Sequence, residues 1–187
     1  MDNKTIATYD QNAGEFKKTH ESQIPLRLYE LCKVFFKKGA STADIGCGIG
    51  RDTVWLNENG YPAEGFDASE GMLKVARQSY PTMKFNPKSL PALKFDSNFE
   101  NIFCCAVLMH IPRSSVVESI ISLLGALKPN GMLVISFRSG KGETDGRLFE
   151  TYDSGEVSTI FESHGGKVLL KEKDGAWENM VIQKEIA

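Results

Sequence analysis

The sequence of 187 residues predicts an α/β fold built on a mostly parallel sheet, and three observations support this prediction. Short apolar segments typical of strands alternate with longer segments whose apolar residues recur at helical spacing. The segment 102–108 is apolar at every position, as expected for a strand buried on both faces in the centre of a parallel sheet. Near the C-terminal end, two strand-like segments flank the charged turn 171–175, which predicts an antiparallel hairpin.

The predicted elements follow one another with short connections, which favours right-handed crossovers between parallel strands. Two helices are expected first, over 10–22 and from Pro25 to Gly39, since proline suits the first turn of a helix and glycine its end. Ser69 is the expected N-cap of a later helix. Further helices are expected to begin at positions 51, 70 and 116. The strands are expected at 42–45, 63–66, 83–85, 102–108, 132–137, 167–170 and 177–183.

The composition is that of an ordinary globular protein, with 41% hydrophobic and 25% charged residues. The net charge of −2 provides no basic field for a phosphate backbone, so no nucleic-acid partner is expected. The four cysteines form no C-x-x-C pair, which predicts neither a metal site nor a disulfide framework and favours a reducing, cytoplasmic location. We find no secretory signal and no apolar run of membrane-spanning length, so no membrane association is expected.

The most informative segment is the glycine turn after the first predicted strand. Asp44 precedes Gly46, Gly48 and Gly50, and a helix is expected to begin directly afterwards. Glycine allows a positive φ and lets a ligand lie against bare backbone, while the amides at a helix N-terminus face the turn. Asp67 ends the second predicted strand 21 positions after Gly46, where a carboxylate can accept hydrogen bonds from both hydroxyls of a ribose. This layout predicts a cofactor that contains a nucleoside.

The spacing of the glycines distinguishes two classes of such cofactor. The nicotinamide fingerprint G-x-G-x-x-G would place its third glycine at position 51, where the sequence has Arg51. The observed G-x-G-x-G pattern, with Asp44 before it, resembles the first motif of the class I S-adenosylmethionine-dependent methyltransferases. Asp67 resembles the ribose-binding acid of that family. The resemblance implies a Rossmann-like, doubly wound, mostly parallel seven-stranded sheet with an antiparallel C-terminal hairpin strand.

Other segments extend this resemblance. The segment 88–91 resembles the family segment that holds the adenine ring, and 126–133 resembles the family's approach to the fifth strand. Asn130 stands there in place of a glycine, and asparagine tolerates the conformation of that turn. The segment 9–13 resembles the N-terminal cap of small-molecule members, in which a tyrosine closes over the cofactor.

The resemblance implies one methyltransferase domain over 1–187, with 1–38 as an N-terminal helical cap. It implies S-adenosylmethionine as the cofactor, S-adenosylhomocysteine as its product, and no metal. The implied cofactor-binding residues are Tyr9, Asp44, Gly46, Cys47, Gly48, Gly50, Asp67, Ala68, Met72, Ser89, Leu90 and Ala106.

The methyl acceptor is expected beyond the carboxyl ends of the strands, at the switch point of the sheet. His110 is the candidate catalytic residue there, because histidine can transfer a proton near neutral pH; a purely structural role is an equal alternative. Arg138, Arg147 and Tyr152 are candidates for substrate contact, the last two in a segment, 144–152, that could form a lid. The alternative for these three is a solvated loop position.

A small-molecule acceptor is the favoured interpretation, because the motifs of nucleic-acid methyltransferases are absent. The segment 109–112 does not contain the Asn/Asp-Pro-Pro-aromatic motif, and no Pro-Cys dipeptide occurs. Two alternatives stay open: a nucleotide- or nicotinamide-dependent enzyme on a similar sheet, and a non-catalytic methyltransferase-like binding protein. Arg51 and Asp52 are interpreted as solvated residues of a first helical turn. The sequence does not predict the oligomeric state.

Overall fold

The computed structural model describes residues 1–138 and 145–186, which form one seven-stranded sheet with helices on both faces. The helices are α1 (Asn3–Ser22), α2 (Leu26–Phe35), α3 (Arg51–Glu58), α4 (Glu70–Ser79), α5 (Val116–Ala126) and α6 (Ser154–Ser163). The strands are β1 (Thr42–Ile45), β2 (Ala63–Asp67), β3 (Phe85–Pro87), β4 (Phe99–Cys105), β5 (Leu127–Arg138), β6 (Gly166–Asp174) and β7 (Trp177–Lys184).

The strand order is β3-β2-β1-β4-β5-β7-β6, and the chain reverses its direction of travel across the sheet between β1 and β4. Strands β1 to β5 are parallel to one another, whereas β7 is antiparallel to both β5 and β6. The predicted fold class is therefore confirmed. The carboxyl ends of β1, β2, β4 and β5 meet at one edge of the sheet, and the main cavity opens there.

Each face of the sheet has its own hydrophobic core. Ile102 and Cys104 of β4 belong to the larger core, which contains residues of α5 and α6. Phe103, between them in sequence, points to the opposite face and packs in the core that α2 covers. Burial of β4 on both faces explains the continuous apolar run that predicted a central strand.

The central strand begins and ends three residues earlier than predicted. Strand β4 ends at Cys105, and Ala106 has φ 59°, which turns the chain into a 3₁₀ turn over Leu108–His110. Val107 and Leu108 are buried in the larger core although they lie outside the strand. An apolar run reports burial rather than conformation, and for this reason the predicted boundary at position 108 was wrong.

Helix α6 was absent from the prediction, because Ser154, Gly155 and Ser158 give it weak intrinsic helix propensity. It forms because Asp153 caps it, its Oδ1 accepting from the Glu156 amide at 2.9 Å, and because Phe161 is buried. Tertiary packing thus decides the structure of this segment.

Three boundaries also differ from the predictions. Helix α1 begins seven residues earlier than expected, capped by Asp2, whose carboxylate accepts from the Thr5 amide at 2.8 Å. Strand β3 lies two residues later, and β5 starts at Leu127 with a register shift in its pairing with β4. Asn130 has φ 62°, the left-handed turn conformation that was expected there.

Helices α1 and α2 occupy the region predicted as an N-terminal cap. Asp10 of α1 fixes the helix to the start of α4, since its Oδ1 accepts from the Ser69 hydroxyl at 2.6 Å and from the Gly71 amide at 2.9 Å. Ser69 is the N-cap of α4, as predicted, and its hydroxyl oxygen accepts from the Met72 amide. In the part of the chain that the structure describes, no helix combines the length and the apolar character needed to cross a membrane.

Candidate functional site

One large cavity, of about 1040 Å³, lies at the carboxyl edge of the sheet beneath α1. It has two regions. The glycine-turn pocket is lined by Gly46, Gly48, Asp67 and Met72, and the β5–β7 pocket is lined by Ser136, Arg138, Trp177 and Asn179.

The glycine turn has the backbone conformation that its sequence predicts. Gly46, Gly48 and Gly50 have φ values of 76°, 53° and 86°, which residues with a Cβ rarely adopt. A Cβ on Gly46 would lie 2.1 Å from Val107, and one on Gly50 would lie 2.5 Å from the Phe85 ring. Gly46 and Gly50 are therefore required by packing. Gly48 is different, because its nearest contact is the flexible Met72 side chain at 3.3 Å and it faces the cavity.

Asp67 is the main charged group of the glycine-turn pocket. Its Oδ2 accepts from the Gly48 amide and its Oδ1 from the Ser69 amide, both at 2.8 Å. Burial raises the pKa of Asp67 above its usual range, and the two amide hydrogen bonds oppose this shift. Each carboxylate oxygen keeps a further lone pair for a ligand hydroxyl, so the group is preorganised as a bidentate acceptor.

Asp44 supports the turn from below and does not line the cavity. The side chain is 1% exposed, and its Oδ2 accepts from the Thr53 hydroxyl at 2.6 Å, which joins β1 to α3. Burial and the neighbouring charge of Asp52 raise the pKa of Asp44 well above its usual range. The structure therefore gives Asp44 a positioning role and no direct contact with the cavity.

The other predicted cofactor residues divide into two groups. Those that line the cavity beside the residues already described are Tyr9, Cys47, Met72 and Ala106. Those that do not line it are Gly50, Ala68, Ser89 and Leu90.

The segment expected to hold an adenine ring is turned inward in this structure. The Ser89 hydroxyl donates to the Leu90 carbonyl at 2.9 Å, and Leu90 packs in the larger core. The same carbonyl accepts from the amino group of Met1, which itself lines the cavity.

His110 lines the cavity, and both of its ring nitrogens have a hydrogen-bond partner. Its Nδ1 is 2.7 Å from the Leu148 carbonyl, which can only accept, so Nδ1 carries the proton. Its Nε2 is 3.1 Å from the Tyr9 hydroxyl, which must then donate. Arg147 donates in turn to the Tyr9 oxygen at 3.1 Å. The four groups form one directed chain of hydrogen bonds from Arg147 to Leu148.

Burial, at 3% exposure, lowers the pKa of His110 to about 4. The imidazole is therefore neutral at pH 7, and its free lone pair is already used by Tyr9. In this arrangement His110 is a weak base, and its geometry favours positioning of the Tyr9 hydroxyl over proton abstraction.

Arg147 joins α1 to the segment that follows β5. Its guanidinium forms two hydrogen bonds of 2.7 Å with Asp145 and lies 4.9 to 5.4 Å from the ring centres of Tyr9, Phe16 and Phe149. A cation among three aromatic rings is stabilised by their negative faces. Arg147 thus lines the cavity, but its charge is already balanced.

The residues predicted for the acceptor region have different positions in the structure. Tyr152 is fully buried in the larger core and its hydroxyl donates to the Ile111 carbonyl at 2.9 Å, so it cannot contact a ligand in the cavity. Of the proposed lid over 144–152, position 144 lies outside the described residues. Arg138 does line the cavity, at the end of β5.

The interpretation of Arg51 and Asp52 as solvated residues was wrong. Arg51 forms a bidentate pair with Asp52 at 2.8 and 2.7 Å, and it donates to the carbonyls of His20 and Gln23 at the end of α1. Asp52 also accepts from the Tyr29 hydroxyl. The pair connects α1, α2 and α3 beneath the β5–β7 pocket. Propensity at a helix start does not reveal such long-range partners.

Comparison with known proteins points to a methyltransferase domain. The model of a family described as "Methyltransferase domain" matches residues 43–131, which include the glycine turn and Asp67. This match covers just under half of the chain, and it supports the resemblance to the class I S-adenosylmethionine-dependent methyltransferases. S-adenosylmethionine is the cofactor of this family, and the match ends within β5.

The curated relatives of this chain are longer than the chain itself. Trans-aconitate 2-methyltransferase of Azoarcus sp. is 32% identical over 120 residues, which are 63% of this chain and 47% of that protein. Ubiquinone biosynthesis O-methyltransferase of Rickettsia felis is 27% identical over 97 residues, 50% of this chain and 39% of that protein. The aligned part of the chain thus spans less than half the length of these relatives.

A solved structure has the same fold as this chain. The 1,6-didemethyltoxoflavin-N1-methyltransferase of Burkholderia thailandensis, with bound 1,6-didemethyltoxoflavin and S-adenosylhomocysteine, superposes with a TM-score of 0.79. The superposition covers 97% of this chain and 87% of that one at 15% sequence identity. At this identity the likeness establishes the fold.

Sequence reasoning missed several residues that line the cavity. Phe16 and His20 line the cavity from α1, and their rings stack with centroids 5.6 Å apart. Their spacing from Tyr9, seven and eleven positions, places all three rings on one face of a helix and could have identified them. Asn179 also lines the cavity, and no pattern in the sequence of β7 distinguishes it.

Proposed function

We propose that this protein transfers a methyl group from S-adenosylmethionine to a small-molecule acceptor. The observation that carries the proposal is the anchored carboxylate of Asp67, held by the Gly48 and Ser69 amides at 2.8 Å beside a turn of bare backbone. An acid in this position favours the ribose diol of a nucleoside cofactor. The proposed site residues are those of the glycine-turn pocket, with Tyr9, Cys47 and Ala106 beside them.

The residues present fit this cofactor. Gly48 leaves space where a Cβ would otherwise meet Met72, and Tyr9, Phe16 and His20 of α1 cover the pocket from above. When bound, the cofactor supplies a methyl group on a positively charged sulfur, which is a good leaving group. The protein's own contribution is alignment of the two reactants and exclusion of water, and proximity of this kind can be worth about 7–11 kcal/mol.

A general base is not required by this proposal. The described neutral state of His110, with a pKa of about 4, makes it a positioning residue for Tyr9. This favours an acceptor whose nucleophilic atom is already free of its proton at neutral pH.

The net charge of the protein and the position of its cavity support a small acceptor. The net charge of −2 provides no field for nucleic acid, and the cavity lies beneath α1 instead of on an open face. The names of two relatives, a trans-aconitate 2-methyltransferase and a ubiquinone biosynthesis O-methyltransferase, indicate small-molecule acceptors for those proteins. We further propose one domain over 1–187, with 1–38 as its helical cap, in a reducing cytoplasm that would keep the four cysteines as free thiols.

A screen for S-adenosylhomocysteine release tests the proposal. The purified protein is incubated with S-adenosylmethionine and a panel of metabolites, and each active compound is tested again with two variants. Asp67→Ala should lose activity, while Asp96→Ala, which removes an exposed carboxylate away from the cavity, should retain it. Tight binding of S-adenosylhomocysteine with no release for any compound would favour the non-catalytic binding protein instead.

A further inference from the structure

The β5–β7 pocket is a polar surface built by the register of three strands. Cys105 of β4 pairs with Ser136 of β5, and Ser136 pairs with Asn179 of β7. Two residues further along, Arg138 pairs with Trp177. Alternate residues of a strand share a face, so these five side chains form one continuous patch, and all five line the cavity.

Asn179 carries the strongest indication of a missing partner in this patch. The residue is 2% exposed, and its Oδ1 is buried without a hydrogen-bond partner among the described residues. The side chain also interacts with Glu172, its cross-strand neighbour on β6. Because a carboxylate can only accept, this neighbour favours an orientation in which the amide nitrogen faces Glu172. A buried acceptor without a partner is unfavourable, and a ligand N–H or O–H would satisfy it.

Arg138 is the available cation of the same patch. Arg27 is paired with Glu30 and Glu172, and Arg51 is paired with Asp52. Arg138 lines the cavity and, within the described ranges 1–138 and 145–186, has no ion pair or side-chain hydrogen bond. An unpaired guanidinium facing a cavity favours an anionic ligand group, above all a planar carboxylate.

The mouth of the pocket is apolar. Ile24, Leu26 and Trp177 line the cavity with 52%, 67% and 38% of their surface exposed. Large exposed apolar side chains at the rim of a cavity are typical of a binding site for a ligand with an apolar body. The pocket therefore combines exposed apolar side chains, one guanidinium without a partner among the described residues, and one buried acceptor.

We propose that the β5–β7 pocket binds a small aromatic or conjugated acid that also carries an N–H or O–H group. Arg138 contacts its carboxylate, Asn179 accepts its hydrogen bond, and Trp177 covers its apolar body. This inference rests on the proposed function, since the acid would be the methyl acceptor or a compound of similar shape. Asn179 is then the specificity-determining residue. Its oxygen accepts a hydrogen bond from the N–H or O–H of the acid, and it cannot form this bond when that group is methylated.

Binding of model acids tests the proposal. The probes are the three hydroxybenzoate isomers, each compared with its O-methyl analogue, which lacks the donor, and with its amide analogue, which lacks the anion. Calorimetry is performed on the full chain, first with S-adenosylhomocysteine and then with each probe. At least one isomer should bind the wild type, and each of the two analogues of that isomer should bind about 10-fold or more weakly.

Two variants assign the contacts. Asn179→Leu should abolish the preference for the hydroxy acid over its O-methyl analogue, and Arg138→Gln should abolish the preference for the acid over the amide. Asn86→Leu and Arg77→Gln, at sites outside the cavity, should keep both preferences. Affinity for S-adenosylhomocysteine reports whether each variant is folded, and Asn179→Ser replaces the leucine variant if that one does not fold.

Failure of this inference is distinguishable from failure of the proposed function. If S-adenosylhomocysteine binds but no hydroxybenzoate isomer does, the acid pocket is overturned and the proposed function stands. If S-adenosylhomocysteine does not bind, the proposed function fails, and the probes then test the pocket on the cofactor-free protein. Retention of both preferences in Asn179→Leu and Arg138→Gln would also overturn the inference.

Discussion

The glycine-turn pocket and the β5–β7 pocket share one cavity but are specified by the sequence in different ways. The first is built mainly from one local segment, in which β1, a turn and α3 follow one another directly. The second is assembled from strand register and from the Arg51–Asp52 pair, which joins helices distant in sequence. We therefore expect changes in the first pocket to alter ligand binding, and changes beneath the second to alter stability.

The largest effect is expected for Gly48→Val. A branched side chain at φ 53° would occupy the surface that faces the cavity, so affinity for S-adenosylhomocysteine should fall by more than ~1000-fold, about 4 kcal/mol. Calorimetry measures this. Gly39→Val is the matched control, because Gly39 has φ 72° and open space around it, away from the cavity. Similar affinities of both variants would mean that Gly48 does not face the cofactor.

Arg51→Met tests whether a change beneath the β5–β7 pocket lowers stability. The change leaves Asp52, which is 7% exposed, without its ion-pair partner, and removes two hydrogen bonds to the end of α1. Breaking a buried pair of this kind costs about 3–5 kcal/mol, measurable by urea unfolding. Lys84→Met, at an exposed pair with Glu64, should cost no more than about 1 kcal/mol. Equal stability of the two variants would show that the Arg51 pair is not structural.

His110, a buried residue that lines the cavity, should make stability depend on pH. Its pKa is about 4 in the folded protein and about 6.5 in the unfolded chain, so the unfolded state binds more protons between these values. Stability is therefore complete above pH 6.5 and falls as the pH decreases to 4, by on the order of 3 kcal/mol. Unfolding of wild type and His110→Gln across this range isolates the effect. Parallel curves for the two proteins would contradict the burial of a neutral imidazole.

Asp67→Ala should have the smallest of these effects, confined to binding. Loss of a charge-assisted contact to the ribose diol should weaken S-adenosylhomocysteine by about 1.5–3 kcal/mol, while the melting temperature holds. Asp96→Ala is the control for removal of a carboxylate. An unchanged affinity in Asp67→Ala would remove the ribose contact from the account.

The difference between the pockets also explains what the sequence could predict. Gly46, Gly48, Gly50 and Asp67 were identifiable because their spacing alone fixes a strand, a turn and the end of the next strand. The mostly parallel sheet with a central β4 followed from the alternation of helices and strands and from the continuous apolar run. These features depend on short-range geometry, which the sequence displays directly.

The remaining features depend on contacts between distant segments. The partners of Arg51 lie on α1, and the missing partner of Asn179 is apparent only when β6 and β7 are paired. Tyr152 lies in a segment that the sequence does not distinguish from a solvated loop. In the structure it is buried, and its hydroxyl donates to the Ile111 carbonyl. Helix α6 has weak propensity and forms through its cap and its burial. None of these follows from local pattern, because tertiary packing overrides it.

The central claim is that the glycine turn and Asp67 bind an S-adenosylmethionine-type cofactor. Titration of the wild-type protein with S-adenosylhomocysteine and, separately, with NADH tests it most directly. The account predicts binding of S-adenosylhomocysteine in the micromolar range, about −8 kcal/mol, and no heat of binding for NADH. A clear NADH signal with none for S-adenosylhomocysteine would contradict it.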